Sequence, residues 1–305
     1  MGIMNHIAPE LPADPRILVV QKRSFLDMMV ESADKDRFEA LMKRDSKAKE
    51  RYEMAHDENQ EAAETVTQEL QNLGVRFDVD SRPLDAVDPD YDLVLSVGGD
   101  GTFLSVAHAV GTKPMMGINS SRTFSVGRYC GTHVDDFERV IGSVLDGSLK
   151  PRPLYRIGME IDGVMLDPPA LNEVLFAHSV PAGTSRYRIA VGGLGERHKS
   201  SGVWVATAPG STGAIHSAGG TPMPTCESGL QFVVREAYSE PGEVPHLLRG
   251  IQKSEILLTC LMQDGALFVD GARVVHPVMW GQTVRFVAGH RPLWAYRPSA
   301  AFYDS

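Results

Sequence analysis

Cysteine is scarce in this chain of 305 residues: Cys130, Cys226 and Cys260 are the only three, widely spaced and odd in number. That excludes a disulfide-stapled secreted scaffold and fits a reducing compartment. Long apolar runs are missing as well, and the opening MGIMNHIAPELPADPR lacks the cationic start and apolar stretch of a secretory signal. A cytoplasmic protein with no membrane partner is the expectation. Positive charge is also in short supply, with 30 Lys and Arg against 39 Asp and Glu and a formal charge of −9. This argues against broad nucleic-acid affinity, because binding phosphate backbones needs a positive field. It leaves room for a small basic cleft, to which Arg152, Arg156, Arg186, Arg188, Arg197 and Lys199 could contribute.

What is present is a core-forming composition, 43% hydrophobic, in a chain long enough for two domains. Arg16 to Val20 reads as a first strand after a Pro-rich leader. No proline or glycine occurs from Asp34 to Leu73. Ala62, Val66, Leu70 and Leu73 recur there at helical spacing, with Gly74 as a stop. The earlier part is either a continuation of that helix or a second one, broken near Asp45-Ser46. Such an arm is a bulky surface layer or an oligomer contact. Val75 to Val79 and Tyr91 to Val97 read as strands, the latter running into a glycine turn. A helix ending at Gly111, a strand over Pro114 to Asn119 and a helix over Val134 to Leu145 follow. This order predicts a parallel α/β sheet with its ligand edge at the carboxyl ends of the strands. Beyond Leu154 short strands take over: Tyr155 to Ile161, Ala170 to Ala177, Arg186 to Val191, Gly202 to Thr207, Glu255 to Leu261, Ala266 to Val269 and Thr283 to Ala288. The expected division is an α/β domain over 1–150, a mainly β domain over 151–290 and a tail over 291–305.

The turn is Gly98-Gly99-Asp100-Gly101-Thr102. Bare glycines let a backbone turn sharply and bring its N–H groups close to phosphate, and Thr102 adds a hydroxyl at the start of a helix. The spacing fits neither the dinucleotide fingerprint nor a loop ending in Gly-Lys-Ser/Thr. Asp100 would repel phosphate, so it either does chemistry, binds a cation or caps backbone donors. As a base it would take the proton of an acceptor hydroxyl in phosphoryl transfer. The alternative is a tight strand-to-helix turn capped by Asp100 or Thr102. Asn172 and Glu173 interrupt an apolar strand, and alternation turns them to opposite faces. Both reach one ligand only at a strand end, bulge or cleft; otherwise Asn172 is a turn or cross-strand partner and Glu173 a surface charge. A third segment, Gly210-Ser211-Thr212 through Ser217-Ala218-Gly219-Gly220, reads as a hydroxyl-rich turn in which Ser211 and Thr212 can cap a helix and meet a phosphate or ribose; the alternative is a glycine-serine surface loop with a simple cap.

Together, in this order, these motifs resemble the NAD kinase family, with Gly117-Ile118-Asn119 and Val269-Asp270-Gly271 as further landmarks. The likeness spans roughly residues 16 to 290. The long Asp34 to Glu61 insertion and the Arg122 segment are similar to the family's mitochondrial-type branch. The resemblance implies transfer of a phosphoryl group from ATP, or in some members polyphosphate, to the adenosine ribose 2′-hydroxyl of NAD or NADH. It implies Asp100 as general base, a phosphate cradle at Gly98, Gly99, Gly101 and Thr102, nicotinamide-ribose contacts from Asn172 and Glu173, and a nucleotide loop at Ser211 and Thr212. Mg2+ would accompany the donor without a permanent protein-built site, and the enzyme would be a homodimer or homotetramer. The chain departs from the family pattern at Ala214, where a ring is usual, at Ser201, where an acidic ribose contact is usual, and over Ser120 to Gly127. A lipid or other small-molecule kinase and a noncatalytic nucleotide sensor are the competing readings.

Overall fold

A computed structural model describes residues 7–298 apart from 240, 241 and 243. The described chain forms two compact units, one over Ile7–Arg152 together with 294–298, the other over Pro153–Leu293.

The first unit is a parallel sheet with helices. Its strands are β1 (Arg16–Gln21), β2 (Arg76–Asp80), β3 (Leu93–Gly98), β4 (Met115–Asn119) and the short β5 (Thr132–His133), in the order β2-β1-β3-β4-β5. β3 and β4 are buried along their whole length, as central strands covered on both faces must be. The helices are α1 (Phe25–Val30), α2 (Lys35–Arg44), α3 (Ser46–Asn72), α4 (Asp100–Ala109) and α5 (Phe137–Leu145). Val66 and Leu70 of α3 and Phe137 and Ile141 of α5 close over Ile17, Val19, Leu95 and Ile118.

The arm is two helices. The break falls at Asp45, whose carboxylate accepts the Ala48 N–H at 2.9 Å and so starts α3 afresh. Periodicity alone misses α1, six residues started by a capping box between Ser24 and Asp27. Phe25, Phe38 and Tyr52 tie α1, α2 and α3 together through ring contacts of 4.9 to 6.0 Å. Further along α3, Asn59 accepts a hydrogen bond from the Ser120 hydroxyl, and Glu58 accepts one from Thr123 at 3.1 Å. The insertion therefore holds the loop that follows β4.

The second unit is a β-sandwich. In chain order its strands are β6 (Arg152–Ile161), β7 (Val164–Ala170), β8 (Glu173–His178), β9 (Ser185–Val191), β10 (Leu194–Ser200), β11 (Val203–Ala206), β12 (Leu230–Val234), β13 (Arg249–Gln252), β14 (Glu255–Cys260), β15 (Gly265–Val269), β16 (Val274–Val278) and β17 (Thr283–Ala295), with the one-turn α6 (Ala214–Ser217) after β11. One sheet runs β10-β9-β14-β17, with β6 and β7 joined through β17; the other runs β13-β12-β11-β8-β15-β16. Both contribute to a single core that includes Ile157, Phe176, Tyr187, Ile189, Val205, Phe232, Leu258 and Phe286. The expected α/β domain followed by a mainly β domain is the observed architecture. β17 is longer than the sequence suggests, because Gly289 (φ +69°) and Pro292 look like a stop yet are absorbed within the strand. Its last residue, Ala295, pairs with Met115 of β4.

Candidate functional site

The candidate residues fall into two clusters, one in each unit. In the first, β3 leads directly into α4 through Gly98 and Gly99. Gly98 has φ +157°, and a Cβ there would lie 2.5 Å from Thr102 Oγ1 and 3.0 Å from the Lys22 side chain. A Cβ at Gly99 would collide with the Ser125 hydroxyl. These glycines are demanded by packing. At Gly101 a Cβ would meet nothing within 4 Å, so the fold itself does not require glycine there. The Thr102 and Phe103 amides both turn back to the Gly99 carbonyl, at 3.0 and 3.1 Å.

Asp100 is the first residue of α4, and neither it nor Thr102 is the cap; that position belongs to Gly99, which makes no side-chain bond. The Asp100 carboxylate instead accepts the Tyr129 N–H at 2.7 Å. The Tyr129 ring stacks on Phe103 of α4 with centroids 5.2 Å apart. Next to it Cys130 points its thiol at the Gly98 carbonyl, and burial, reinforced by the Asp100 charge, pushes that thiol up to about 12. A neutral, buried thiol packs the turn and does not act as a nucleophile. The loop after β4, which departs from the family pattern, folds onto the same turn. Asn119 donates to the Ser125 carbonyl at 3.2 Å, and Ser121 Oγ accepts the Phe124 N–H at 2.8 Å. Gly127, at φ +64°, lies so close to Asn119 that a Cβ would come within 2.8 Å of its Cγ. Ser125 and Tyr129 carry no motif and were not among the sequence candidates; only the structure brings them to the turn.

The second cluster is organised by Asp270. Its carboxylate accepts the amides of Leu171, Asn172 and Glu173 at 2.7, 2.7 and 3.1 Å, and its own N–H donates to the Glu173 carbonyl at 3.0 Å. This pins the bend between β7 and β8. Asn172 lies in that bend and Glu173 opens β8, so the pair does sit at a strand end, where alternation no longer separates it. Thr207 Oγ1 donates to the Leu171 carbonyl at 2.6 Å and accepts the Gly210 N–H at 2.9 Å, bringing the second glycine turn against the bend. A Cβ at Gly210 would stand 2.6 Å from Asn172 Cα.

Glu173 is buried beneath that turn, not a surface charge. It is 9% exposed, its Oε2 has no hydrogen-bond partner among the described residues, and a Cβ at Gly213 would lie 2.9 Å from that oxygen. Burial, with the neighbouring Asp270 charge adding to it, pushes its carboxyl up to about 7, against a hydrogen bond from the Ala214 N–H. Ser211 and Thr212 do not cap α6, whose N-cap is Gly213 without a side-chain bond. Ser211 is fully buried, donating to the Ala208 carbonyl at 2.6 Å and accepting the Met223 N–H at 2.8 Å; Thr212 is half-buried. Ser201 does not lie beside Glu173. Glu173 pairs with Ala206 at one end of β11, whereas Ser201 precedes the other end, about 16 Å away at roughly 3.3 Å per residue.

One unit carries a glycine turn between a buried parallel strand and a helix with an aspartate at its head, and the other carries a buried carboxylate at a strand end, a pairing consistent with the phosphotransferase class. The comparisons narrow it. Residues 17–146 match the model of the ATP-NAD kinase N-terminal domain. A probable NADH kinase of Oryza sativa subsp. japonica is 36% identical over 219 residues, covering 64% of this chain and 67% of the relative. The NADH kinase of Arabidopsis thaliana is 33% identical over 229 residues, covering 64% and 69%. An NAD kinase from Archaeoglobus fulgidus, solved with ATP, shares the fold over 95% of this chain and 96% of its own, with a TM-score of 0.64 at 20% identity. The chain belongs to the NAD kinase family, and phosphotransfer of the NAD kinase type is its general activity. Among the described residues no helix is long and apolar enough to cross a membrane, and no group of three or more His, Cys, Asp or Glu could hold a metal ion.

Proposed function

We propose that the chain transfers the terminal phosphoryl group of ATP or another phosphoryl donor to the adenosine ribose 2′-hydroxyl of NAD or NADH, with Asp100 as general base. The observation that carries this reading is the Asp100 carboxylate, held by a backbone N–H at the head of α4 immediately after a glycine turn. Asp100 takes the hydroxyl proton, the ribose oxygen bonds to the terminal phosphorus, and the bond to the donor's bridging oxygen breaks, releasing the nucleoside diphosphate when ATP is the donor. Gly98 and Gly99 shape the turn, while Gly101 and Thr102 present the first turn of α4 to the phosphates.

Glu173 and Asn172 are assigned to the nicotinamide ribose. A buried carboxylate with an unpartnered oxygen is suited to accept the two hydroxyls of a ribose, whose donors replace the hydration that burial removed. Ser211 is assigned to shaping the nucleotide loop and Thr212 to presenting a hydroxyl from it. When bound with the donor, Mg2+ would supply charge neutralisation on the phosphates. The two plant relatives named NADH kinases favour testing the reduced dinucleotide beside the oxidised one.

Purified protein with Mg2+ and ATP or polyphosphate, given NAD or NADH, should yield NADP or NADPH, with 31P NMR placing the new phosphate on the 2′ oxygen. No product with either dinucleotide sinks the assignment. Turnover of a lipid or other alcohol instead would move the chain to a different acceptor, and tight binding without turnover would make it a sensor.

A further inference from the structure

The C-terminal end of β17 brings one cation to the Asp100 turn. Ala295 pairs with Met115, the Tyr296 N–H donates to the Met115 carbonyl at 2.9 Å, and Tyr296 packs so tightly on Gly131 that a Cβ there would strike its carbonyl. The next residue, Arg297, is thereby fixed in place. Its Nη2 donates to the carbonyl of Arg128 at 2.7 Å. The N–H of that same trans peptide unit belongs to Tyr129, and it donates to Asp100 Oδ1, also at 2.7 Å. Guanidinium, peptide and carboxylate therefore form one chain of hydrogen bonds.

We infer that Arg297 is a positioning residue for Asp100, acting through the Arg128–Tyr129 peptide; this rests on the reading of Asp100 as the base. A cation on a carbonyl oxygen draws electron density from the amide and makes its N–H a stronger donor, and hydrogen bonds in such chains reinforce one another. The peptide itself cannot drift, because the Tyr129 ring is buried and stacked on Phe103 of the helix that carries Asp100. Burial lowers the Arg297 guanidinium from its ordinary value, and the nearby Asp100 charge acts against that lowering. The Cys130 thiol, pushed up by burial, stays neutral, so it brings no charge to this chain of hydrogen bonds. A guanidinium suits the task because it is always protonated and donates in a fixed plane.

The test uses the full chain, selectively 15N-labelled at its 8 tyrosines, with Tyr129→Phe to assign the amide. In Arg297→Gln the Tyr129 amide proton should move upfield. With the dinucleotide and donor on which the wild type turns over, kcat should fall about tenfold while both KM values stay within about twofold, as expected when an orienting contact rather than a binding contact is lost. Arg297→Lys should restore most of kcat and part of the amide shift, and it serves as the readout if the glutamine variant folds poorly. An unmoved Tyr129 amide or an unchanged kcat in the glutamine variant overturns the inference. The amide shift is read without substrate, so absence of turnover in the wild type would sink the kinase reading while still reporting whether the relay exists.

Discussion

The two glycine turns of this chain are built on opposite plans. In the turn over Gly98 to Thr102 most of the tight contacts come from residues that follow soon in the chain, Gly98 against Thr102, Gly99 against Ser125 and Asp100 against Tyr129, with Lys22 against Gly98 as the distant one. Its carboxylate is supplied with an amide donor before any ligand arrives. In the turn over Gly210 to Ala214 the contacts come from far along the chain, with Asp270 reaching back 97 to 99 residues to hold the bend on which Gly210 rests. Its carboxylate, Glu173, is left with one oxygen unpartnered among the described residues and a like charge nearby. The difference fits the roles proposed above: a base has to be oriented before the acceptor arrives, whereas a group proposed to recognise hydroxyls gains when its desolvation is relieved by the ligand.

The largest effect that would break this comparison is on Asp100. Asp100→Asn preserves the side-chain volume and removes its basicity, so kcat should fall about 10²- to 10⁴-fold with the fold intact. Near-normal kcat at saturating substrates would transfer the role of base to another group. Gly210→Ala tests the other plan. Its methyl would press into the Asn172 backbone, which Asp270 and Thr207 hold on three sides, so the variant should lose about 3 kcal/mol or more of stability in a urea titration. A loss below about 1 kcal/mol would show that the bend can shift and that its rigidity is not what places Glu173.

This difference in plan also decided what the sequence could reveal. The first turn is contiguous and ends an apolar strand, so its glycines, Asp100 and the parallel sheet behind it are legible together. The Asn172-Glu173 pair is visible as two polar residues in an apolar stretch, but alternation alone puts them on opposite faces. The bend that unites them is made by Asp270, recognisable beforehand only as a family landmark. Ser211 reads as a cap because hydroxyls before a helix commonly are; burial and the Met223 amide gave it another task. Ser201 sits close to the turn in sequence, yet β11 separates the two. Arg297 carries no motif, and its place depends on β17 continuing through Gly289 and Pro292, which sequence rules read as an end.

A smaller effect isolates the electrostatics of Glu173. Its carboxyl, pushed up to about 7 from an ordinary value of 4.5, keeps a proton in the folded state over a range where the unfolded chain has released it. Folding stability from this group is therefore full below pH 4.5 and declines as pH rises towards 7, after which the loss is complete. Glu173→Gln removes that dependence. At pH 8 it should be more stable than the wild type by up to about 3 kcal/mol in urea titrations, with the difference closing below pH ~4.5. It should also bind the dinucleotide more weakly. A variant less stable than the wild type at pH 8 would mean that the carboxylate already has an adequate partner when folded.

The smallest expected change in stability is at Gly101, and it separates a glycine kept for the fold from one kept for a ligand. Its backbone is not in the left-handed region and a Cβ would meet nothing within 4 Å, so Gly101→Ala has no steric reason to destabilise. Replacing glycine by alanine within a helix favours the helix by up to about 1 kcal/mol, so Tm should hold or rise. If the first turn of α4 receives donor phosphates, the added methyl should nevertheless raise the donor KM, leaving the dinucleotide KM close to its original value. Gly98 has no such separation, because its Cβ would displace Thr102 whether or not a phosphate is bound. An unchanged donor KM in a stable Gly101→Ala protein would move the phosphates away from this face of the helix and leave Gly98 and Gly99 as the only glycines of the turn with a demonstrated need.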